Sequence, residues 1–264
     1  MRSVSRLVVA ALLCVTLTVG VTGGAGATDG DYSQDDSTVA CVGQIDRRVK
    51  EVDKLLARVA SALDVTDAHR TALSAALQDA RAGLVALRAE VVALATTTAG
   101  TATLTPQHDE PAPSTDAMSP EVAAACARMY SEFRIYVLRK PQVNLVVGAD
   151  RVSGQRALFD LLASELDAAI AAVPSDPDGA EARRLLDDYR AKIASASLAA
   201  AGISDAVIGF GPEDWNANPS ILAPYVDAMR QVKRDLRTAK QDAKQIVALL
   251  GGAATESGKT PGTA

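Results

Sequence analysis

Residues 73–94 read LSAALQDARAGLVALRAEVVAL, and the spacing of their apolar side chains decides the fold class. Apolar residues recur at alternating steps of three and four, which places them on one stripe of a helix. Spacing of this kind, sustained over about three heptads, is typical of a coiled-coil seam. The stripe consists of Leu73, Leu77, Ala80, Leu84, Leu87, Val91 and Leu94.

Three further segments repeat this spacing, so the sequence predicts an all-α protein. We expect an elongated antiparallel helical bundle of about six helices with coiled-coil-type seams. The stripe of the first segment is predicted to comprise Val42, Ile45, Val49, Val52, Leu56, Val59 and Leu63. Another comprises Ala182, Leu186, Tyr189, Ile193, Ala196, Ala200, Ile203 and Val207. The last comprises Leu222, Tyr225, Met229, Val232, Leu236, Ala239, Ala243, Ile246 and Leu250.

Helix-capping and helix-breaking residues lie between these segments. Thr66 can cap the second helix, and Ser119 followed by proline is a helix start. The turn at 174–179 separates two helices, and Gly209 to Pro212 ends the long one. Pro224 either kinks the last helix or resets its start.

The first 27 residues have the layout of a secretory signal peptide. Met1 to Arg6 is basic, Leu7 to Val21 is uncharged and mostly apolar, and small residues follow up to Ala27. The apolar run is shorter than the ~20 residues that a membrane span needs. We therefore predict cleavage after Ala27, loss of Cys14 with the signal, and a secreted, extracellular or cell-surface-associated protein.

Removal of the signal leaves two cysteines, Cys41 and Cys126. An even number in an exported chain predicts one disulfide, the alternative being two independent buried thiols. A hairpin of the first two helices returns the chain to its start, which brings Cys126 near Cys41. Closing a loop of this length stabilises the fold by roughly 4 kcal/mol in the chain-entropy picture.

Composition predicts the remaining organisation. We expect a disordered acidic arm over 28–40 and a helical hairpin over 41–97, followed by a Thr/Ala/Pro-rich linker over 98–118. Residues 119–252 should form a helical bundle that packs with 41–97. Residues 253–264 should be a disordered tail.

The segment 133–147 departs from the heptad pattern because it is rich in β-branched and aromatic residues around Pro141. Two interpretations stay open. One is a helix that ends near Leu138 with another that starts near Pro141; the other is a short β-hairpin. The helical interpretation is favoured, because apolar spacing continues into the segment from Val122.

The same segment resembles a stretch in exported helical proteins of high-GC bacteria that have no known activity. The resemblance rests on FRIYVL at 133–138 with Pro141, Val143, Leu145 and the pair Ala149-Asp150, and on PEDWNANP at 212–219. It covers most of the mature chain. It supports a helical fold and implies no activity.

Charge and motif content argue against several functions. The mature chain carries 25 basic and 32 acidic residues, a net charge of −7, and aromatic residues are scarce, so nucleic-acid binding is not expected. His69 and His108 have no metal-pair spacing and are interpreted as exposed polar residues. Catalytic motifs are lacking, so we predict no enzymatic activity, no cofactor and no metal. Glu165, Asp167 and Asp235 have no basic residue three or four positions away in either direction and are interpreted as exposed.

The remaining candidate for recognition is the aromatic pair Phe210 and Trp215, in a loop after the long helix. The pair is either an interaction tip or a plug for the core, and the plug is favoured. We predict a secreted structural or interaction protein near the cell envelope, with an unknown protein or envelope component as partner. Self-association stays open. A membrane-active bundle that uses Ile135 to Val147, and a small-ligand carrier, are the alternatives, and membrane contact is not favoured.

Overall fold

The computed structural model describes residues 38–101, 118–173 and 177–256, and these residues form helices and no β-strand. The predicted all-α class is confirmed. In chain order the elements are α1 (Thr38–Ser61), α2 (Asp67–Thr101), α3 (Pro120–Arg128), the π-helical segments π1 (Met129–Phe133) and π2 (Ile135–Arg139), α4 (Lys140–Gly154), α5 (Arg156–Ala171), α6 (Pro177–Ala200), α7 (Ile203–Ile208), α8 (Pro212–Ala217) and α9 (Ala223–Glu256).

The described helices divide into two compact units. The hairpin unit comprises 38–147 and 204–223 as far as they are described, and the α9 unit comprises 148–203 and 224–256 likewise. The sequence placed 119–252 in one bundle, whereas the structure divides it within α4. Helix α4 supplies buried apolar residues to both units: Val143 and Val146 to one, Ala149 and Val152 to the other.

Helices α1 and α2 form the predicted antiparallel hairpin. Arg81 lies 2.7 Å from Asp53, and Arg88 lies 2.8 Å from Asp46, so α2 runs back along α1. The disulfide joins Cys41 at the start of α1 to Cys126 in α3, with 6.1 Å between their Cα atoms. The predicted pairing is confirmed, because the hairpin does bring the chain back to its beginning.

The turn between α1 and α2 is closed by side chains rather than by glycine. Thr66 caps α2 as predicted, since its hydroxyl accepts a hydrogen bond from the His69 amide at 3.2 Å. Arg70 donates to four backbone carbonyls, those of Val59, Ala60, Ala62 and Val65. The last carbonyls of α1 lack helical partners, and this one guanidinium satisfies several of them.

The predicted stripe of α1 is wrong by one residue at several positions. Leu63 is 94% exposed, and Val42, Val49 and Leu56 are only half-buried. The buried residues of α1 are Cys41, Ile45, Arg48, Val52, Leu55 and Val59. This set has regular heptad spacing only when Arg48 is included. Because an apolarity pattern does not count an arginine, the predicted stripe moved to the neighbouring positions.

The other stripes are largely buried as predicted. All eight positions of the stripe over α6 and α7 are buried, and α2 and α9 leave only Leu94, Tyr225 and Leu250 half-buried. The long helix is interrupted before Gly209, at Gly202, whose φ of 75° suits glycine and ends α6.

Helix boundaries extend beyond the predicted ones. Helix α1 begins at Thr38, inside the predicted arm; α2 continues to Thr101, inside the predicted linker; and α9 continues to Glu256, inside the predicted tail. Alanine and threonine at these ends do not stop a helix as proline does. Pro224 is the second residue of α9 and therefore resets its start. The predicted signal peptide with Cys14, most of the arm, His108 and most of the linker, and residues 257–264 of the tail lie outside the described residues.

Candidate functional site

The helix that begins at Pro120 loses α-geometry at Met129. Segments π1 and π2 follow, joined by Arg134, whose φ of 47° and ψ of 41° are left-handed. The helical interpretation of 133–147 is therefore correct and the β-hairpin is not, but the break falls at Arg134 rather than between Leu138 and Pro141. We name residues 129–141 the π corner.

Pro141 gives a physical reason for the wide turns. In an α-helix its ring would meet the carbonyl four residues earlier, and its nitrogen could not donate a hydrogen bond. Just before it, the amides of Arg139 and Lys140 bond five residues back, to the carbonyls of Arg134 and Ile135. These π-type bonds widen the helix immediately before the proline, and such bulges often occur at functional sites.

A buried cation lies against the π corner. Arg48 of α1 is only 7% exposed, and its guanidinium carbon lies 4.6 Å from the ring centre of Tyr130 and 5.3 Å from that of Tyr136. It donates to the Gln44 carbonyl at 3.3 Å, and the Tyr130 hydroxyl donates to the Gln44 side chain. The faces of two aromatic rings offset part of the cost of burying the charge.

Lysine and glutamate continue this cluster toward the surface. The Lys140 ammonium lies 2.8 Å from a carboxylate oxygen of Glu51 and 6.0 Å from the ring centre of Tyr136. Because Glu51 is largely buried, this pair is screened less than a fully exposed one. The α1 face and the π corner are thus connected by one network of cations and rings.

The loop after α7 is attached to the π corner through its backbone. Gln142 donates to the Phe210 carbonyl at 2.8 Å, and Arg139 donates to the same carbonyl at 3.2 Å. Burial lowers the pKa of Arg139, and its Nε has no hydrogen-bond partner among the described residues. The loop position is therefore fixed by two side chains that converge on one carbonyl.

Helix α8 is attached to the left-handed residue itself. The side-chain amide of Asn216 donates to the Ser131 carbonyl at 3.0 Å, and its oxygen accepts from Arg134 Nε at 2.8 Å. Left-handed backbone is unfavourable for arginine, so the surrounding contacts must hold it. The π corner is consequently a rigid, irregular surface rich in cations and tyrosines.

The predicted aromatic pair lies beside this surface. Phe210 and Trp215 are both partly exposed, so neither is a fully buried plug nor a freely exposed tip. Their place next to the π corner comes from the contacts of Gln142, Arg139 and Asn216. Sequence reasoning found the aromatic pair but missed Arg48, whose only signal is that it completes the heptad of α1.

His69 and one of the carboxylates, Asp235, differ from their interpretation as exposed residues. The His69 Nε2 lies 3.0 Å from Asp205, and its side chain is only 16% exposed. Asp235 is 3% exposed and accepts hydrogen bonds from Ser195 at 2.8 Å and Gln231 at 2.9 Å. Asp167 is exposed and lies 2.7 Å from Arg190 of the next helix. The partner of His69 lies on another helix, as do Ser195 and Lys192 beside Asp235, so the pattern of the residue's own helix could not reveal them. Glu165 is exposed as expected.

The α9 unit contains a separate open cleft between α5 and α6, with a volume of about 420 Å³. Its apolar floor includes Phe159, Ala163 and Ile193, and two arginine–aspartate pairs lie at its edge. Tyr189 donates to the Phe159 carbonyl at 3.2 Å. Burial, followed by the charge of Asp160, raises the pKa of Tyr189 to about 12, so its hydroxyl stays protonated.

The described residues include one helical stretch that could cross a membrane and lack a cluster of metal ligands. No group of three or more histidine, cysteine or acidic residues there could hold a metal ion. One stretch, Pro177–Ile208, is long and apolar enough to cross a membrane, with a mean hydropathy of 1.3 over 18 residues and 33% of that window buried. A core helix of a soluble protein can have the same length and apolar composition, so this stretch alone does not indicate a membrane span.

Comparison with known proteins adds no relative. No family model matches the chain, and no curated protein or solved structure matches it significantly.

Proposed function

We propose that the protein is an exported structural or interaction protein that acts at or near the cell envelope and binds its partner through the π corner. The observation that carries this proposal is Arg134, an arginine with left-handed backbone on the surface. Such a conformation costs on the order of 1–2 kcal/mol and persists only where surrounding contacts over-determine it. A bundle whose only task was to fold could continue an α-helix here.

The composition of the π corner supports protein recognition. Arginine and tyrosine are the residues that contribute most to binding energy at protein interfaces, because they combine apolar area with hydrogen-bonding groups. Tyr130, Tyr136 and Arg134 lie together there over the buried Arg48, with Trp215 on the adjoining helix. Fixed aromatic and guanidinium groups lose little conformational freedom when a partner binds.

Two further observations support export. The Cys41–Cys126 disulfide forms readily outside the reducing cytoplasm. The chain also begins with the basic, apolar and small-residue order of a signal peptide.

The experiment has two parts. Fractionation of the producing cells, with N-terminal sequencing, should place a chain that begins at Thr28 in the medium or envelope. A photo-crosslinker at Tyr130 or Trp215 should then yield a discrete adduct, lost on Asn216→Ala. Arg81→Ala, which removes an exposed ion pair of the same unit, should leave the adduct unchanged. A cytoplasmic, uncleaved chain, or equal adducts in both variants, would contradict the proposal.

The cleft between α5 and α6 favours a second candidate, a carrier for a small ligand. Its volume lies within the range of ligand sites, although it is open to solvent. Denaturation of the protein isolated from its cells should then release about one small molecule per chain, detected by mass spectrometry. Ala194→Trp, which fills the cleft, should abolish that release, and an empty wild-type protein would dismiss this candidate.

A membrane-active bundle stays the weakest proposal. Val143, Leu145 and Val146, which belong to the stretch that such a bundle would use, are buried in α4, where they already contribute to a core. Insertion would require this core to open. Absence of dye leakage from liposomes at micromolar protein would dismiss the idea.

A further inference from the structure

Helix α9 carries an exposed face on which cations accumulate. The face consists of Arg230, Lys233, Arg234, Arg237, Lys240 and Lys244. At 3.6 residues per turn, these six side chains fall within an arc of about 120° and span about 21 Å of helix. Four of them are exposed and two are half-buried. We name this set the basic face.

The basic face differs from other cationic positions of the described chain. Many exposed arginines elsewhere lie in ion pairs with nearby carboxylates, such as Arg88 with Asp46 and Arg190 with Asp167. On the basic face Arg230 pairs with Asp227 at 2.7 Å, but Arg237, Lys240 and Lys244 have no carboxylate partner among the described residues. The other two acids within this part of α9, Asp235 and Asp242, are buried on the opposite side.

The accumulated charge is unfavourable for the isolated helix. Cations three or four residues apart repel one another, and this face contains several such pairs. Burial and the charges of Arg230 and Arg237 lower the pKa of Lys233. A negatively charged surface that approaches these cations relieves their mutual repulsion, so its binding is electrostatically favourable.

We propose that the basic face docks the protein on an anionic lipid bilayer without inserting into it. The interleaved residues include Thr238, Gln241 and Gln245, so the face has no aromatic or large apolar side chain to bury among acyl chains. Lipid headgroups diffuse within a fluid bilayer and can therefore reach each cation. An acidic protein partner would instead need carboxylates fixed at matching positions along the whole basic face. This proposal takes only its cellular setting, the cell envelope, from the proposed function; the expected lipid binding does not depend on it.

The test is flotation of the protein, as isolated from its producing cells, with vesicles of phosphatidylglycerol or of phosphatidylcholine. Binding is expected to phosphatidylglycerol alone and should disappear at high salt, because exposed charges are screened. Arg237→Glu/Lys240→Glu/Lys244→Glu should lower the partition coefficient at least tenfold. The matched control Arg47→Glu/Lys50→Glu/Lys54→Glu reverses three cations of α1 and should change it less than twofold.

Each other result overturns the proposal. Absence of wild-type binding at low salt excludes lipid docking, and equal loss in both triple variants excludes the basic face as its location. Binding to soluble polyphosphate but not to vesicles would show that the basic face binds a linear polyanion instead of a bilayer. If the triple variant fails to fold, judged by circular dichroism, Arg237→Gln and Lys240→Gln should each give a smaller, graded loss. Because vesicle binding uses isolated protein, a cytoplasmic location would refute the proposed function and leave lipid binding standing.

Discussion

Two helical stripes of this protein contain a charged residue at a buried position, and they accommodate it differently. In α1, Arg48 lies against the rings of Tyr130 and Tyr136. In α9, Asp235 receives hydrogen bonds from Ser195 and Gln231, but one buried carboxylate oxygen of Asp242 has no hydrogen-bond partner within the described part of the chain. A buried charge is thus stabilised by what neighbouring segments offer, and its effect on stability ranges from favourable to unfavourable.

The largest effect is expected when the disulfide between α1 and α3 is removed. Cys41→Ala/Cys126→Ala should lower the free energy of unfolding by roughly 4 kcal/mol, because the unfolded chain regains the freedom of a long loop. Urea denaturation followed by circular dichroism measures this loss. Reduction of the wild-type disulfide should give the same loss, and a change below about 1 kcal/mol would show that the two helices are held together without the bond.

Truncation of the buried cation should have the next largest effect. Arg48→Ala removes the contacts with both tyrosine rings and leaves a cavity, so we expect a loss of about 3 kcal/mol. Arg81→Ala, at an exposed ion pair with Asp53, should cost less than about 1 kcal/mol. Equal losses in the two variants, measured by urea denaturation, would mean that burial of Arg48 contributes nothing.

The buried carboxylate of α9 should behave in the opposite sense. Burial raises the pKa of Asp242, repulsion from Asp188 adds to this, and Arg184 and Lys192 oppose it. The folded state therefore binds the proton more tightly than the unfolded state, and the stability from this group falls as pH rises above about 4. Asp242→Asn should stabilise the protein by about 1 kcal/mol at neutral pH and have little effect at pH 3.

Denaturation curves between pH 3 and pH 8 check this prediction. Asp227→Asn serves as the control, because Asp227 is an exposed residue of the same helix that pairs with Arg230. It should show no gain at neutral pH. A destabilised Asp242→Asn variant would reveal a favourable role for the ionised carboxylate.

The smallest change in the free energy of unfolding is expected for a substitution that probes the packing between α2 and the π corner. A Cβ at Gly83 would lie 2.4 Å from Cε1 of Phe133, so Gly83→Ala must displace the ring. The substitution should be slightly destabilising in the wild-type protein, because strain offsets the helical preference of alanine. In a Phe133→Ala background the same change should stabilise by about 0.5–1 kcal/mol. A double-mutant cycle measures the difference, and additive effects would contradict this contact.

The regular helices could be predicted from the sequence, because apolar spacing reports directly on which side of a helix is buried. The buried stripes of α2, α6 and α9 could be predicted from this spacing, and the disulfide could be predicted from the hairpin. The stripe of α1 could not be predicted in register, since its completing residue is Arg48. Burial of Asp235 could not be predicted either, because Ser195 and Lys192, which contact it, lie on another helix.

The candidate site was only partly visible in the sequence. Pro141 and the β-branched run marked a departure from the pattern, but a left-handed arginine at 134 leaves no compositional signal of the kind that glycine gives. The aromatic pair Phe210 and Trp215 was identified from composition. Their attachment through Gln142 and Asn216 depends on a fold in which segments about 70–85 residues apart meet.

The guanidinium of Arg70 has a consequence for how the hairpin opens. Helix ends usually fray on their own, and amide hydrogens near them exchange quickly. Here the end of α1 and the start of α2 share a single side chain, so residues 60–66 are released only when the first turn of α2 moves as well. Their exchange should then follow concerted opening of both helices, which makes this turn a reporter of that cooperative event.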